Sequence, residues 1–161
     1  MAHTILGAFE YPGRNAPRHP GFMCPSLSTF NSLQIGAQDD CTPNFTGRVI
    51  HLASFEKLKN VIDEAKNDRD LTLLVGGRYN DSKGYYVYPT VYISINPTHK
   101  IIHTEFFGDI LAKYVYPDEA FDEFIKLVHC SGGGYTLTGS VFASDWLILP
   151  KAEGMLAATF T

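Results

Sequence analysis

Apolar side chains at Phe55, Leu58, Val61, Ile62 and Ala65 recur at the three- and four-residue steps of a helix, and Glu56, Lys57, Lys59, Asp63, Glu64 and Lys66 cover much of the remaining surface. The pattern predicts an amphipathic helix capped by Ser54, with its charges as a solvated face. Asn67-Asp68-Arg69-Asp70 ends it, and residues 71–75 read as a short buried strand stopped by the turn Gly76-Gly77. After a polar loop at residues 80–84, residues 85–95 form a long tyrosine-rich, β-branched run. Pro89 has no N–H for a ladder, so it places this strand at an edge or breaks its pairing. A turn at Asn96-Pro97-Thr98 leads to a strand at residues 110–116 that is apolar on both faces. Pro117-Asp118-Glu119 opens a second helix whose buried side is Ala120, Phe121, Phe124, Ile125, Leu127 and Val128, closed by residues 129–134. Residues 135–143 read as the last strand, ended by Ser144-Asp145. Residues 146–161 are apolar without strand alternation, although residues 155–158 fit a helix. Helices alternating with strands predict an α/β layer.

Residues 1–44 behave differently. Pro12, Gly13, Pro17, Pro20, Gly21, Pro25 and Pro43 interrupt every periodicity, so this segment reads as irregular or disordered. Three regions follow: an irregular segment at 1–44, an ordered unit at 45–145 and a tail at 146–161. Arg14, Arg18 and two histidines stand against one early acid, Glu10, a composition shared with mitochondrial transit peptides, but the prolines and glycines would break the amphipathic helix such peptides need.

With 161 residues, 45% of them hydrophobic and 19% charged, the chain has material for one globular domain with a sizeable core. A net charge of -4 and scattered basic residues argue against a nucleic-acid partner. No apolar run approaches bilayer-spanning length, so a soluble chain without a membrane partner is expected. Cys24, Cys41 and Cys130 are odd in number and widely spaced, which fits a reducing compartment better than a disulfide framework.

Candidate chemistry concentrates at Thr104-Glu105-Phe106-Phe107-Gly108-Asp109, just before the strand at 110–116. A carboxylate at Glu105 can accept two hydroxyl protons from a ribose, Phe107 can offer a flat wall to an aromatic or nicotinamide ring, and Gly108 permits close backbone approach. The same residues also suit the start of a strand with one solvated acid and two core rings. His99 and His103 would share a helical face and could hold zinc. The neighbouring Ile101-Ile102 and the turn before them favour an extended chain instead, where residues four apart lie roughly 13 Å apart, and no metal is expected. Adjacent residues such as His129 and Cys130 do not generally face one another, and nothing supplies Cys24 or Cys41 with a base. An independent cysteine or metal hydrolase therefore has little support. Asn44-Phe45-Thr46 matches a glycosylation acceptor by chance, and Tyr85, Tyr86, Tyr88 and Tyr92 suit strand packing better than base stacking.

Five pieces in order, Leu73-Leu-Val-Gly-Gly77, Gly84-Tyr-Tyr-Val-Tyr-Pro-Thr-Val91, Thr104-Glu-Phe-Phe-Gly108, Tyr114-Val-Tyr-Pro-Asp118 and Tyr135-Thr-Leu-Thr-Gly-Ser-Val-Phe142, resemble landmarks of the aldehyde dehydrogenase superfamily. Their wording is most similar to its delta-1-pyrroline-5-carboxylate dehydrogenase branch. The resemblance runs from about Phe45 to Asp145. It implies an α/β fold that is the later part of the family's catalytic domain. It also implies an NAD-dependent oxidation of the small-molecule aldehyde glutamate gamma-semialdehyde to glutamate in proline catabolism, typically in the mitochondrial matrix, with the cytoplasm as the alternative. It puts Glu105 on the nicotinamide ribose hydroxyls and Phe107 against the nicotinamide region. Asp109 stands where the family usually has proline, and Thr136 where it usually has glycine. The family's chemistry needs a cysteine thiolate, oxyanion donors, a hydride acceptor and a base. Its Gly-Gln-x-Cys nucleophile setting and its nucleotide-binding domain lie upstream of the matched region, so no catalytic residue is assigned here. A truncated form, inactive alone, is expected; the alternative is a noncatalytic module associating with a full-length dehydrogenase subunit.

Overall fold

The computed structural model describes residues 33, 35–36, 44, 46–117, 120–131 and 146–157. Helix α1 (Leu52–Ala65) turns Phe55, Leu58, Ile62 and Ala65 inward, as the periodicity predicts. Its cap is His51 rather than Ser54: the His51 ring accepts from the Ser54 amide at 3.1 Å, so Ser54 lies inside the first turn. An imidazole nitrogen here supplies the acceptor that a hydroxyl usually provides.

Strand β1 (Leu71–Val75) ends where the sequence predicts, but of its residues only Val75 is buried. It lies at the edge of the three-stranded sheet β1-β4-β5, and Thr72 and Leu73 face outward. Gly76 and Gly77 follow with φ of 85° and 70°, and a Cβ on Gly76 would lie 2.2 Å from the Pro89 carbonyl oxygen. That approach admits only glycine. The buried Thr90 hydroxyl ties the turn down, accepting from the Gly77 amide at 2.9 Å and donating to the Tyr88 carbonyl at 2.7 Å.

The run 85–95 divides at Tyr88-Pro89. β2 (Tyr79–Asn80) and β3 (Tyr86–Val87) form a small antiparallel pair, and β4 (Thr90–Ser94) joins the main sheet between β1, antiparallel, and β5 (Ile110–Tyr114), parallel. Because proline donates nothing to a ladder, the pairing partner changes on either side of it.

Residues 99–103, expected to be extended, instead form the single helical turn α2 (Lys100–His103). The His99 ring caps it, accepting from the Ile101 amide at 3.1 Å, while the ring's other nitrogen meets Asp68 at 2.9 Å. His103 turns to the Pro97 carbonyl at 3.2 Å. The two rings thus take different protein partners. Two apolar clusters result. α1, β3, β4, α2, Phe106 and β5 enclose the first, and Tyr116 with helices α3 (Phe121–Ser131) and α4 (Ile148–Ala157) the second, with Tyr114 packing against both. The Tyr116 and Phe124 rings stack at 4.0 Å. α4 begins seven residues before the helix expected in the tail and buries Ala152 completely. Residues 118–119 at the expected second-helix start, the glycines at 132–134 and the strand expected at 135–143 lie outside the described residues.

Candidate functional site

The loop between α2 and β5 is held on three sides. At its start, the Thr104 amide donates to the Lys100 carbonyl at 2.9 Å and closes the helical turn. At its end, the Asp109 carbonyl accepts from the Thr90 amide at 2.8 Å, and the Asp109 carboxylate accepts from the Thr46 hydroxyl at 2.8 Å. The charge that replaces the family's usual proline is therefore engaged by Thr46, through a contact spanning 63 residues of sequence. The third support is α1. The Lys57 ammonium donates to the Glu105 carbonyl oxygen at 2.9 Å and sits 5.5 Å from the Phe106 ring centroid. Leu58 approaches Gly108 so closely that a Cβ there would meet its side chain at 2.5 Å.

Three consecutive side chains take three different roles on this mount. Phe106 is buried in the first apolar cluster and anchors the loop. Phe107 points the other way: it is 68% exposed and is the non-glycine residue among those described with positive φ, at 54°. A left-handed phenylalanine costs about 1–3 kcal/mol and persists only where surrounding contacts fix it. The expectation of two core rings thus fails for one of them. Phe106 supplies the burial, and Phe107 presents its face outward.

Glu105 precedes both and is half-buried. Its Oε1 is buried and has no hydrogen-bond partner. An unpaired buried carboxylate oxygen is costly, because water has been removed and nothing replaces it. A solvated acid at a strand start would show neither property. Turned toward the surface, the half-buried carboxylate can accept protons from a donor such as a sugar hydroxyl, and the exposed ring two residues on can cover an apolar or aromatic face of the same ligand. These groups suit a ligand carrying a ribose and a flat heterocycle. The structure thus places Glu105 and Phe107 on one short, tightly braced loop. The contacts of Lys57, Leu58 and Thr46 with this loop were not legible in the sequence, that of Lys57 because a lysine among other charges on a helix face reads as solvated. Nothing in the local spacing marks its reach to Glu105.

Among the described residues, no group of three or more His, Cys, Asp or Glu side chains could hold a metal ion, and no helix is long and apolar enough to cross a membrane.

A family model described as "Aldehyde dehydrogenase family" matches residues 18–155. The mitochondrial delta-1-pyrroline-5-carboxylate dehydrogenase of Emericella nidulans is 44% identical over 95% of this chain and 29% of its own length. The probable delta-1-pyrroline-5-carboxylate dehydrogenase of Schizosaccharomyces pombe is 37% identical over 97% of this chain and 30% of its own. Among solved structures, the NAD-bound delta-pyrroline-5-carboxylate dehydrogenase of Mycobacterium tuberculosis superposes with a TM-score of 0.69 at 36% identity, covering 81% of this chain and 23% of that one. The chain therefore spans less than a third of the length of these relatives.

Proposed function

The chain belongs to the aldehyde dehydrogenase family, and we propose that it contributes the nicotinamide-ribose contact to an NAD-dependent oxidation of L-glutamate gamma-semialdehyde to glutamate, a step of proline catabolism. The observation that carries this reading is the buried, unpartnered Oε1 of Glu105 beside the outward-facing ring of Phe107. Glu105 accepts hydroxyl protons of the nicotinamide ribose, and Phe107 packs against the nicotinamide region and keeps water from that face. NAD, when bound, supplies the hydride acceptor. The substrate assignment rests on the names of the relatives, and so does a mitochondrial matrix location. The family match runs over residues 18–155, and the reading applies to the loop at residues 104–109 within it. The thiolate nucleophile and the nucleotide-binding domain belong to other parts of the family's sequence, and no residue of this segment is assigned to either role.

Nicotinamide mononucleotide carries the ribose and the ring without the adenosine half, and is the probe matched to these two contacts. In an NMR titration at millimolar ligand, amides of residues 104–109 shift in the wild-type chain and stay fixed in Glu105→Ala. Equal shifts in both proteins, or none in the wild type, overturn the reading. NADH formation from glutamate semialdehyde by the chain alone would contradict the assignment of the nucleophile to another part of the family's sequence.

A second reading, association with a full-length dehydrogenase subunit, is favoured by the turn just before α4, where Trp146 is 73% and Leu147 58% exposed. Co-elution with such a subunit in a one-to-one complex supports it, and independent elution removes it.

A further inference from the structure

We infer that Lys57 is a positioning residue for the cofactor contact, setting the direction of the Glu105 and Phe107 side chains from outside the loop; this rests on the ribose-binding reading of that loop. A lysine on a helix face normally has no protein partner for its ammonium, with its stem lying along the surface. The Lys57 ammonium, while still exposed, reaches 48 residues along the sequence to the Glu105 carbonyl oxygen at 2.9 Å, and stands 5.5 Å from the Phe106 ring centroid. The bond goes to the main chain of Glu105, and the carboxylate Oε1 keeps its open acceptor capacity. An ammonium bonded to that carboxylate would have filled the capacity that a ribose requires.

The next residue completes the device. Leu58, fully buried in α1, abuts Gly108, so two adjacent helical residues grip the loop on either side of Phe107. Lys57 fixes the Glu105–Phe106 peptide, one residue ahead of the left-handed Phe107, and Leu58 limits Gly108 after it. The Phe107 backbone has an intrinsically unfavourable φ of 54°, so it needs such flanking constraints to stay in place. The hydrogen bond to Glu105 is charge-assisted and the aromatic contact adds to it. Both disappear when the ammonium is removed, and an arginine can restore both.

The test compares Lys57→Met and Lys57→Arg with the wild-type chain, by amide order parameters from 15N relaxation and by titration with nicotinamide mononucleotide. In Lys57→Met, the order parameters of Phe107 and Gly108 fall from about 0.85 to below about 0.6, and the urea midpoint falls slightly. The apparent affinity for the mononucleotide falls by less than about tenfold, because the lost bond is exposed and acts only through the loop. Lys57→Arg restores both. Order parameters unchanged in Lys57→Met overturn the inference, and so does a urea midpoint lowered equally in both variants, which would mark a packing role. Failure of the wild-type chain to respond to the mononucleotide, with the order parameters behaving as described, overturns the ribose-binding reading and leaves Lys57 as the residue that orders the loop.

Discussion

The two connections on either side of α2 make opposite use of their polar groups. In the turn before it, Asn96 Oδ1 accepts from the Thr98 amide and hydroxyl, and Asn96 Nδ2 donates to Asp70. His99 uses one ring nitrogen on the Ile101 amide and the other on Asp68. In the loop after α2, Glu105 has a buried oxygen with no partner, and Phe107 gives up both burial and a relaxed backbone. The first connection spends its polar groups on the fold. The second keeps a donor-seeking atom open, braced by Lys57, Leu58 and Thr46. Titratable residues close in sequence therefore separate by whether their capacity is already filled: both ring nitrogens of His99 are used within the fold, and Glu105 keeps the oxygen on which the proposed ligand contact rests.

The largest effect expected on this contrast comes from the shared core beneath the loop. Leu58 is fully buried, and Leu58→Ala is expected to lower unfolding free energy in urea by about 2–5 kcal/mol while also loosening Gly108. Gly108→Ala drives a Cβ to within 2.5 Å of the Leu58 side chain and is expected to cost about 1–3 kcal/mol, measured in the same way. On the structural side, His99→Ala removes the cap of α2 and one partner of Asp68, lowering stability by about 1 kcal/mol without altering a mononucleotide titration.

The smallest effect is a pH dependence belonging to the fold alone. The Lys66 ammonium, bonded to Asp63 at 2.7 Å and aided by Tyr79 and Lys59, holds the Asp63 carboxyl down at about 2, and the Asp70 amide followed by His99 lowers that of Asp68. A carboxyl depressed in the folded state contributes stability above its ordinary value near 3.8, lost as pH falls toward about 2. Urea midpoints should therefore decline across that window, and Asp63→Asn should flatten the decline. A steep loss near neutral pH would point to a different group.

The parts that were legible in the sequence are those decided by local chemistry. The apolar face of α1, the end of β1 at Gly76-Gly77 and the division of the tyrosine-rich run at Pro89 follow from periodicity, glycine and the missing N–H of proline. Glu105 and Phe107 stood out because an acid and two rings before a glycine form an unusual group. Other features depend on distant partners. His99 caps a helical turn because Asp68, 31 residues earlier, holds its ring, so the two isoleucines beside it alone suggested an extended chain. β1 has the composition of a buried strand but lies at an edge, because strand order is a tertiary outcome. The reach of Lys57 across 48 residues and the positive φ of Phe107 have no local signature at all.

The central claim is that the Glu105 carboxylate is held for a ligand and contributes nothing to the fold. Its most direct test is the unfolding free energy of the wild-type chain and Glu105→Ala, each with and without saturating nicotinamide mononucleotide. Without ligand, Glu105→Ala should be as stable as the wild type or more so, because a buried unpaired oxygen has been removed. With ligand, only the wild type should gain stability, by the mass-action effect of binding to the folded state. An unliganded Glu105→Ala chain less stable than the wild type, or one stabilised equally by the mononucleotide, would contradict the claim and return Glu105 to the structural side of the comparison.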